Sequence, residues 1–123
     1  MLSSNNSPLK KGVIFSTQGG IISRNTVFEY EYLNWIIQGE VKEYDKYNGD
    51  LIFSGKYLNG KRNGKGKLFY ENGNIKFEGE YLKGKRNGKG KEYYINSKLK
   101  FEGEYFNDKE WIGKRYDNNG NIL

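Results

Sequence analysis

The sequence predicts an all-β fold, namely an elongated single-layer antiparallel β-meander of repeated hairpins. The first observation is a repeat: the block GKRNGKGK occurs at residues 60–67 and again at residues 84–91, 24 residues later. A fixed period of this length is typical of stacked supersecondary units. The second observation is composition, because the 123 residues include 11 Tyr, 7 Phe and 17 Gly but no Ala. Aromatic residues favour strands, and glycine at this density interrupts helices.

The repeat also sets the organisation of the chain. Residues 1–9 are predicted to form a flexible N-terminal tail, and residues 10–123 a single repeat domain. The units are a half repeat at residues 10–27 and full repeats at residues 28–52, 53–76, 77–100 and 101–123. Since each unit of such an array contacts only its neighbours, we expect function in a repeated surface rather than in one pocket.

The first strand of each unit is read from residues 77–81, where large, charged, small, charged and large side chains alternate. Period-two alternation places the two aromatic residues and the glycine on one face, with both glutamates on the other. The same triplet recurs at residues 53–57 and 101–105. Equivalent rings are therefore expected to form ladders across the sheet. The two rows are Phe53, Phe77 and Phe101, and Tyr57, Tyr81 and Tyr105.

The turns are read from Asn-Gly pairs, which supply the positive φ angles of tight hairpin turns. Asn63-Gly64 and Asn87-Gly88 are predicted to join the two strands within a unit. Asn48-Gly49 and Asn72-Gly73 are predicted to join consecutive units. The sequence leaves open which side chains of the second strand face the aromatic rings, because a bulge resets the alternation.

Charge and composition exclude most enzyme chemistry. Without Cys there is neither a disulfide nor a zinc thiolate site, and without His the commonest general base is missing. We therefore predict no enzyme, no cofactor, and no catalytic, cofactor-binding or metal-binding residues. The sequence lacks both an apolar run of about 20 residues and a signal-peptide segment. The expected location is cytoplasmic, with peripheral membrane contact as an extension.

The basic residues are the first candidate site. Residues 53–100 carry 13 Lys or Arg against 4 Asp or Glu, while the whole chain has a net charge of +6. The candidates for binding anions or lipids are expected to project from one edge of the sheet, with the first two of each triplet in exposed turns. They are Lys61, Arg62, Lys65, Lys85, Arg86 and Lys89. Such a row suits anionic headgroups, nucleic-acid phosphates or an acidic protein, or it protects a sheet edge. Nucleic acid is the least favoured partner, because the rings are needed to hold the fold.

Aromatic residues form the second candidate site. Both Trp residues occur in terminal repeats, where they either cap the array or anchor a partner. A single-layer sheet is also expected to leave edges and part of its aromatic face uncovered, which favours self-association or a protein partner. The candidate partner-binding residues are Tyr57, Tyr81, Tyr105, Trp35 and Trp111.

The unit resembles a known repeat family. Its pattern is an aromatic residue, x-Gly-x-Tyr, then Asn-Gly-Lys-Arg-Asn-Gly-Lys-Gly, then Tyr-x-Asn-Gly, and it is similar to the MORN repeat (membrane occupation and recognition nexus). The resemblance covers residues 28–123 and is strong at residues 53–100. It weakens at residues 28–52, where Tyr30 and Val41 replace glycines, and again after Asp108. It implies a single-layer sheet of hairpins that acts as a protein-binding scaffold, with binding to anionic phospholipid membranes as the alternative.

Overall fold

The computed structural model describes residues 10–15, 26–33 and 36–123, with side chains described from residue 36 onward. In this part of the chain nine antiparallel strands form one sheet in chain order, and no helix occurs. The strands are β1 Lys10–Phe15, β2 Thr26–Leu33, β3 Ile36–Asp45, β4 Leu51–Leu58, β5 Lys61–Phe69, β6 Ile75–Leu82, β7 Lys85–Tyr93, β8 Leu99–Phe106 and β9 Lys109–Arg115. The predicted all-β single-layer meander is confirmed. The predicted tail at residues 1–9 lies outside the described residues.

The hairpins β4–β5, β6–β7 and β8–β9 each close in a two-residue turn whose residues both have positive φ. The angles are 52° and 80° at Asn59-Gly60, and 50° and 89° at Lys83-Gly84. They are 52° and 74° at the third turn, Asn107-Asp108. This is the primed turn whose twist matches that of the flanking strands. The turns follow one another at 24-residue intervals along one edge of the sheet, which we call the tip edge.

The prediction that Asn63-Gly64 and Asn87-Gly88 form the hairpin turns is wrong. Asn63-Gly64 lies inside β5 at a break in the register with β4, and Gly64 has a φ of 97°. Positive φ serves a bulge as well as a turn. The bulge aims Asn63 Oδ1 at the backbone N–H of Lys83, 3.0 Å away in the next turn. The motif therefore couples neighbouring hairpins.

The turns between hairpins lie where the sequence places them. Gly49 and Gly73 have φ values of 77° and 88°. We call this opposite side, with turns at residues 46–50, 70–74 and 94–98, the joint edge. Hydrogen bonds also link successive units here, since Tyr70 Oη donates to the carbonyl of Tyr93 at 2.6 Å. Both edges thus connect each unit to the next.

The core is a continuous chain of edge-to-face aromatic rings. The Phe53 ring lies 6.1 Å from Tyr57 and 5.5 Å from Tyr81 in the next unit. Phe77 repeats the pattern, 5.7 Å from Tyr81 and 5.1 Å from Tyr105. The predicted Phe row is in register, since Phe53 and Phe77 both lie opposite Leu68, and Phe77 and Phe101 both lie opposite Glu92. Equivalent strands are separated by an intervening strand, so each Phe reaches the Tyr of the following unit rather than the next Phe.

Glycine in the intervening strand makes room for these rings. A Cβ on Gly66 would lie 2.6 Å from Cε1 of Phe53, and one on Gly90 would lie 2.7 Å from Cε1 of Phe77. Real Cβ contacts are not that short, so each ring lies across bare backbone. The structure also shows which side chains of the second strand face the aromatic rings. Gly66 and Leu68 face them, and Lys65 and Lys67 point the other way.

Candidate functional site

Arg62 lies over the aromatic core. Its guanidinium carbon is 4.4 Å from the Phe53 ring centroid, and its Nε and Nη2 donate to the buried Glu43 carboxylate at 2.9 and 2.8 Å. Tyr57 Oη donates to the same carboxylate at 2.7 Å. Burial, reinforced by this carboxylate, raises the pKa of Tyr57. The group is a neutralised, hydrogen-bonded cover for the rings.

Arg86 repeats the stacking but takes its carboxylate from elsewhere. The residue equivalent to Glu43 in the next unit is Leu68, which lies opposite Phe77. Arg86 turns instead to Asp108, where its Nε donates to Oδ1 at 2.8 Å. For Arg62 the residue equivalent to Asp108 is Gly84, in the following unit, which has no carboxylate. Each arginine thus has one well-placed acidic partner. Arg62 takes its partner from the preceding unit, and Arg86 takes its partner from the following unit.

Leu68 also leaves Tyr81 without a hydrogen-bond partner. The Tyr81 hydroxyl is buried and has none among the described residues, whereas Tyr57 and Tyr105 donate to Glu43 and Glu92. Burial raises the pKa of Tyr81 to about 12. The sequence signal was present, because Leu occupies the position at which the neighbouring units carry Glu.

The structure corrects the placement of the basic candidates. Arg62 and Arg86 were expected in exposed turns, but they lie within β5 and β7 against the rings and are paired with carboxylates. Their hydrogen bonds and packing make them part of the fold. Lys61 and Lys85 do reach the tip edge and are exposed. Anion binding by the exposed lysines stays a prediction.

Lys65 and Lys89 lie on the face opposite the rings, which we call the charged face. Each lysine there sits beside a glutamate in the register, as in Lys65↔Glu80 and Lys89↔Glu104. The side chains line a groove of about 880 Å³ over the glycine backbone. Because positive and negative strands alternate, the charges on this face largely cancel. Among the described residues, no group of acidic side chains forms a metal-binding cluster.

The tyrosine row is not an open surface. Tyr57, Tyr81 and Tyr105 are at most 6% exposed, covered by neighbouring rings and by the two arginines. The expectation of an uncovered aromatic face is therefore wrong for these three residues. A partner could reach them only if those covering side chains moved.

A regularly repeated row of exposed apolar residues lies instead along the tip edge. Leu58, Leu82 and Phe106 end the first strand of their hairpins and are 50%, 49% and 62% exposed. Each is directly opposite a lysine, in the pairs Leu58↔Lys61, Leu82↔Lys85 and Phe106↔Lys109. We call these six residues the tip row. Sequence reasoning missed it because the hairpin turns were assigned four residues too late.

Trp111 widens the tip row at its C-terminal end. It sits at the bulge of β9, is 66% exposed, and its ring lies 6.1 Å from that of Phe106. Ile112 beside it is 58% exposed. Trp35, the other tryptophan candidate, lies outside the described residues. The last hairpin therefore presents three large apolar side chains to solvent.

Comparison with known proteins supports the repeat assignment. The family model of the MORN repeat matches residues 53–75 and 77–98. These stretches cover most of the hairpins β4–β5 and β6–β7, where the ring pattern is most regular. No curated protein matches the chain significantly. Within the described ranges, no helix has the length and apolar character needed to cross a bilayer.

Proposed function

Because the chain is a MORN-repeat protein, we propose that it is a non-enzymatic interaction module that binds a protein partner, which includes a second copy of itself. The observation that carries the proposal is the exposed cluster of Phe106, Trp111 and Ile112 on the last hairpin. Large exposed apolar patches mark interaction sites, and tryptophan is enriched among the residues that dominate binding energy.

The position of Trp111 supports anchoring over capping. Trp111 occupies the repeat position of Asn63 and Asn87, which precede it by two periods and by one period of 24 residues. The side chain of each of those asparagines accepts a hydrogen bond from a backbone N–H of the next turn. An indole has only a donor, so Trp111 cannot continue that link with its side chain. A cap would cover the core, yet this ring is mostly exposed. Burying it in a partner would contribute about 1.5–3 kcal/mol.

Site-specific photocrosslinking tests this function. A benzophenone amino acid is placed at Phe106 and, as the matched control, at Tyr47, which is 75% exposed on the joint edge. We expect light-dependent protein adducts, with the chain itself or with a cellular protein, at position 106 only. The adducts should disappear when Trp111→Ser is added. Equal adducts at both positions, or none at position 106, would overturn the proposal.

An anionic membrane is the second candidate, favoured by one specific observation. The exposed lysines of the tip edge stand beside half-exposed leucines, which is the chemistry of interfacial membrane binding. Co-sedimentation with neutral and phosphatidylserine vesicles tests it. Binding should require anionic lipid, weaken with salt, and be lost when Lys61, Lys85 and Lys109 are changed to Glu. Arg62 and Arg86 are left unchanged because they hold the core.

A further inference from the structure

The tip row alternates apolar and cationic side chains along the edge of the sheet. In order it reads Leu58, Lys61, Leu82, Lys85, Phe106 and Lys109, and each apolar residue is paired in register with the following lysine. Neighbouring strands are about 4.8 Å apart, so the kind of side chain changes every ~4.8 Å and repeats every ~9.6 Å. A partner that fits must carry the complementary alternation.

Hydrogen bonds hold this spacing. The backbone N–H of Gly84 donates to the carbonyl of Arg62 at 2.8 Å, and the backbone N–H of Asp108 donates to the carbonyl of Arg86 at 2.9 Å. Consecutive turns are thus joined across the gap between hairpins. The bulge amides add further links, and Lys85 Nζ donates to Asn107 Oδ1 at 3.1 Å. The row is therefore a fixed template rather than a set of independent loops.

An α-helix matches this template in length. Residues i and i+3 of a helix are about 4.5 Å apart along its axis, and residues i and i+7 about 10.5 Å. Over three hairpins the mismatch with the sheet repeat accumulates to about 2 Å, which flexible lysine stems can absorb. Side chains on one side of an extended strand recur every ~6.7 Å and do not match. Residues on one side of a polyproline helix recur only every ~9.3 Å, so one line of its side chains cannot change kind every ~4.8 Å.

The charge of the row selects the sign of the partner. No carboxylate among the described residues forms an ion pair with Lys61, Lys85 or Lys109. The charged face is different, because its lysines alternate with glutamates, as Lys91 does with Glu102 at 3.8 Å. At the tips, positive charge without an ion-pair partner in the described part of the chain therefore stands directly beside exposed apolar residues.

We propose that the tip row binds an acidic amphipathic α-helix, with an apolar residue at every seventh position and a carboxylate three residues after each. The apolar residues of the helix pack on Leu58, Leu82 and Phe106, and its carboxylates pair with the lysines opposite them. Trp111 extends the contact beyond Phe106. This inference rests on the proposed function, a protein-binding module, and specifies the partner class.

Labelled designed peptides of about three heptads provide the test, with binding measured by fluorescence anisotropy. The first peptide has Leu at every seventh position and Glu three residues later. The second has the same composition with the leucines out of phase, and the third has Lys in place of Glu. We expect the first to bind at least about tenfold more tightly than the other two, with affinity falling as salt rises.

Variants of the chain locate the site. Leu58→Ser with Leu82→Ser should weaken the acidic peptide about tenfold or more, while Ile95→Ser on the joint edge should leave its affinity unchanged. Changing Lys61, Lys85 and Lys109 to Glu should abolish binding of the acidic peptide and create binding of the lysine peptide. The matched control changes Lys46, Lys76 and Lys98 to Glu, with the same change in net charge.

The outcomes separate this inference from the proposed function. Equal binding of in-phase and out-of-phase peptides, or equal effects of the two lysine triples, would overturn the helix proposal. The helix proposal would also be overturned if phosphatidylserine vesicles bind the tip row and none of the peptides does. If photocrosslinking at position 106 succeeds while the peptides fail, the chain binds protein by another mode. If the crosslinking fails as well, the protein-binding function itself is wrong.

Discussion

Replacing Glu43 with Leu should remove the charged partner of Arg62 and strongly destabilise the sheet. Glu43 is buried and accepts from Arg62 Nε, Arg62 Nη2 and Tyr57 Oη. The chain contains a natural counterpart in Leu68, which occupies the equivalent position. Arg86, which Leu68 leaves without a carboxylate, pairs with Asp108 instead, whereas the residue equivalent to Asp108 beside Arg62 is Gly84.

The magnitude follows from what the substitution leaves unpaired. Removing one partner of a buried ion pair costs about 3–5 kcal/mol. Arg62 retains some exposure, with its side chain 25% accessible, so water recovers part of that loss. The Tyr57 hydroxyl loses its hydrogen bond to Glu43, which adds about 1 kcal/mol. We expect a net loss of about 3–4 kcal/mol in the free energy of unfolding, a large share of a small domain's stability.

Urea unfolding of a double-mutant cycle tests this reasoning. The variants are Glu43→Leu, Arg62→Met and the two together, because removing both charges leaves no buried charge unpaired. The double variant should be more stable than Glu43→Leu alone by at least about 1 kcal/mol. If Glu43→Leu costs less than about 1 kcal/mol, or if the double variant is no more stable than the single one, the neutralised cover over the rings is not a major source of stability.

Three further predictions concern the core and its couplings. Gly90→Ala should lower the free energy of unfolding by about 1–3 kcal/mol in a urea titration, since its Cβ would meet the Phe77 ring at 2.7 Å; an unchanged midpoint would refute the close ring packing. Asn87→Ala should lower it by about 0.5–1.5 kcal/mol, because the N–H of Asn107 loses its acceptor at 3.2 Å, and no loss would show that the bulge does not couple hairpins. The pKa of Tyr81 is raised to about 12 by burial, so its contribution to stability, complete below pH ~10, should be lost as the pH rises towards 12. Phenolate absorbance followed with pH should show this late titration, and a Tyr81 that titrates near pH 10 in the folded chain would contradict it.

Most of the fold could be predicted from the 24-residue period and from the alternation of side chains within the first strand of each unit. The spacing of Phe77 and Tyr81 correctly placed both rings on one face, and the glycine between them correctly indicated close packing. The hairpin turns could not be located from Asn-Gly pairs, because the same backbone angles serve bulges and turns. At Lys83 a lysine adopts positive φ, which local propensity does not favour. Hydrogen bonds from the neighbouring unit decide that geometry.

The candidate site was less predictable for a related reason. An arginine in a basic run reads as exposed, and only the fold brings Glu43 to Arg62 across 19 residues. Similarly, the tyrosines look available until the neighbouring units cover them. Leu58 and Leu82 were overlooked because they lie on the face assigned to charged residues. Their exposure depends on where the chain turns, so the turn error hid the tip row.

The most direct test of the central claim, that the tip edge is the interaction surface, is nuclear magnetic resonance of the labelled chain titrated with the in-phase acidic peptide. Backbone amide shifts should concentrate at residues 58–61, 82–85 and 106–112, where the tip row and Trp111 lie. Amides of the charged face, at residues 78–80 and 102–104, and of the joint edge, at residues 70–74 and 94–98, should stay in place. Shifts centred on either of those regions, or no shifts when the peptide is in large excess, would contradict the account.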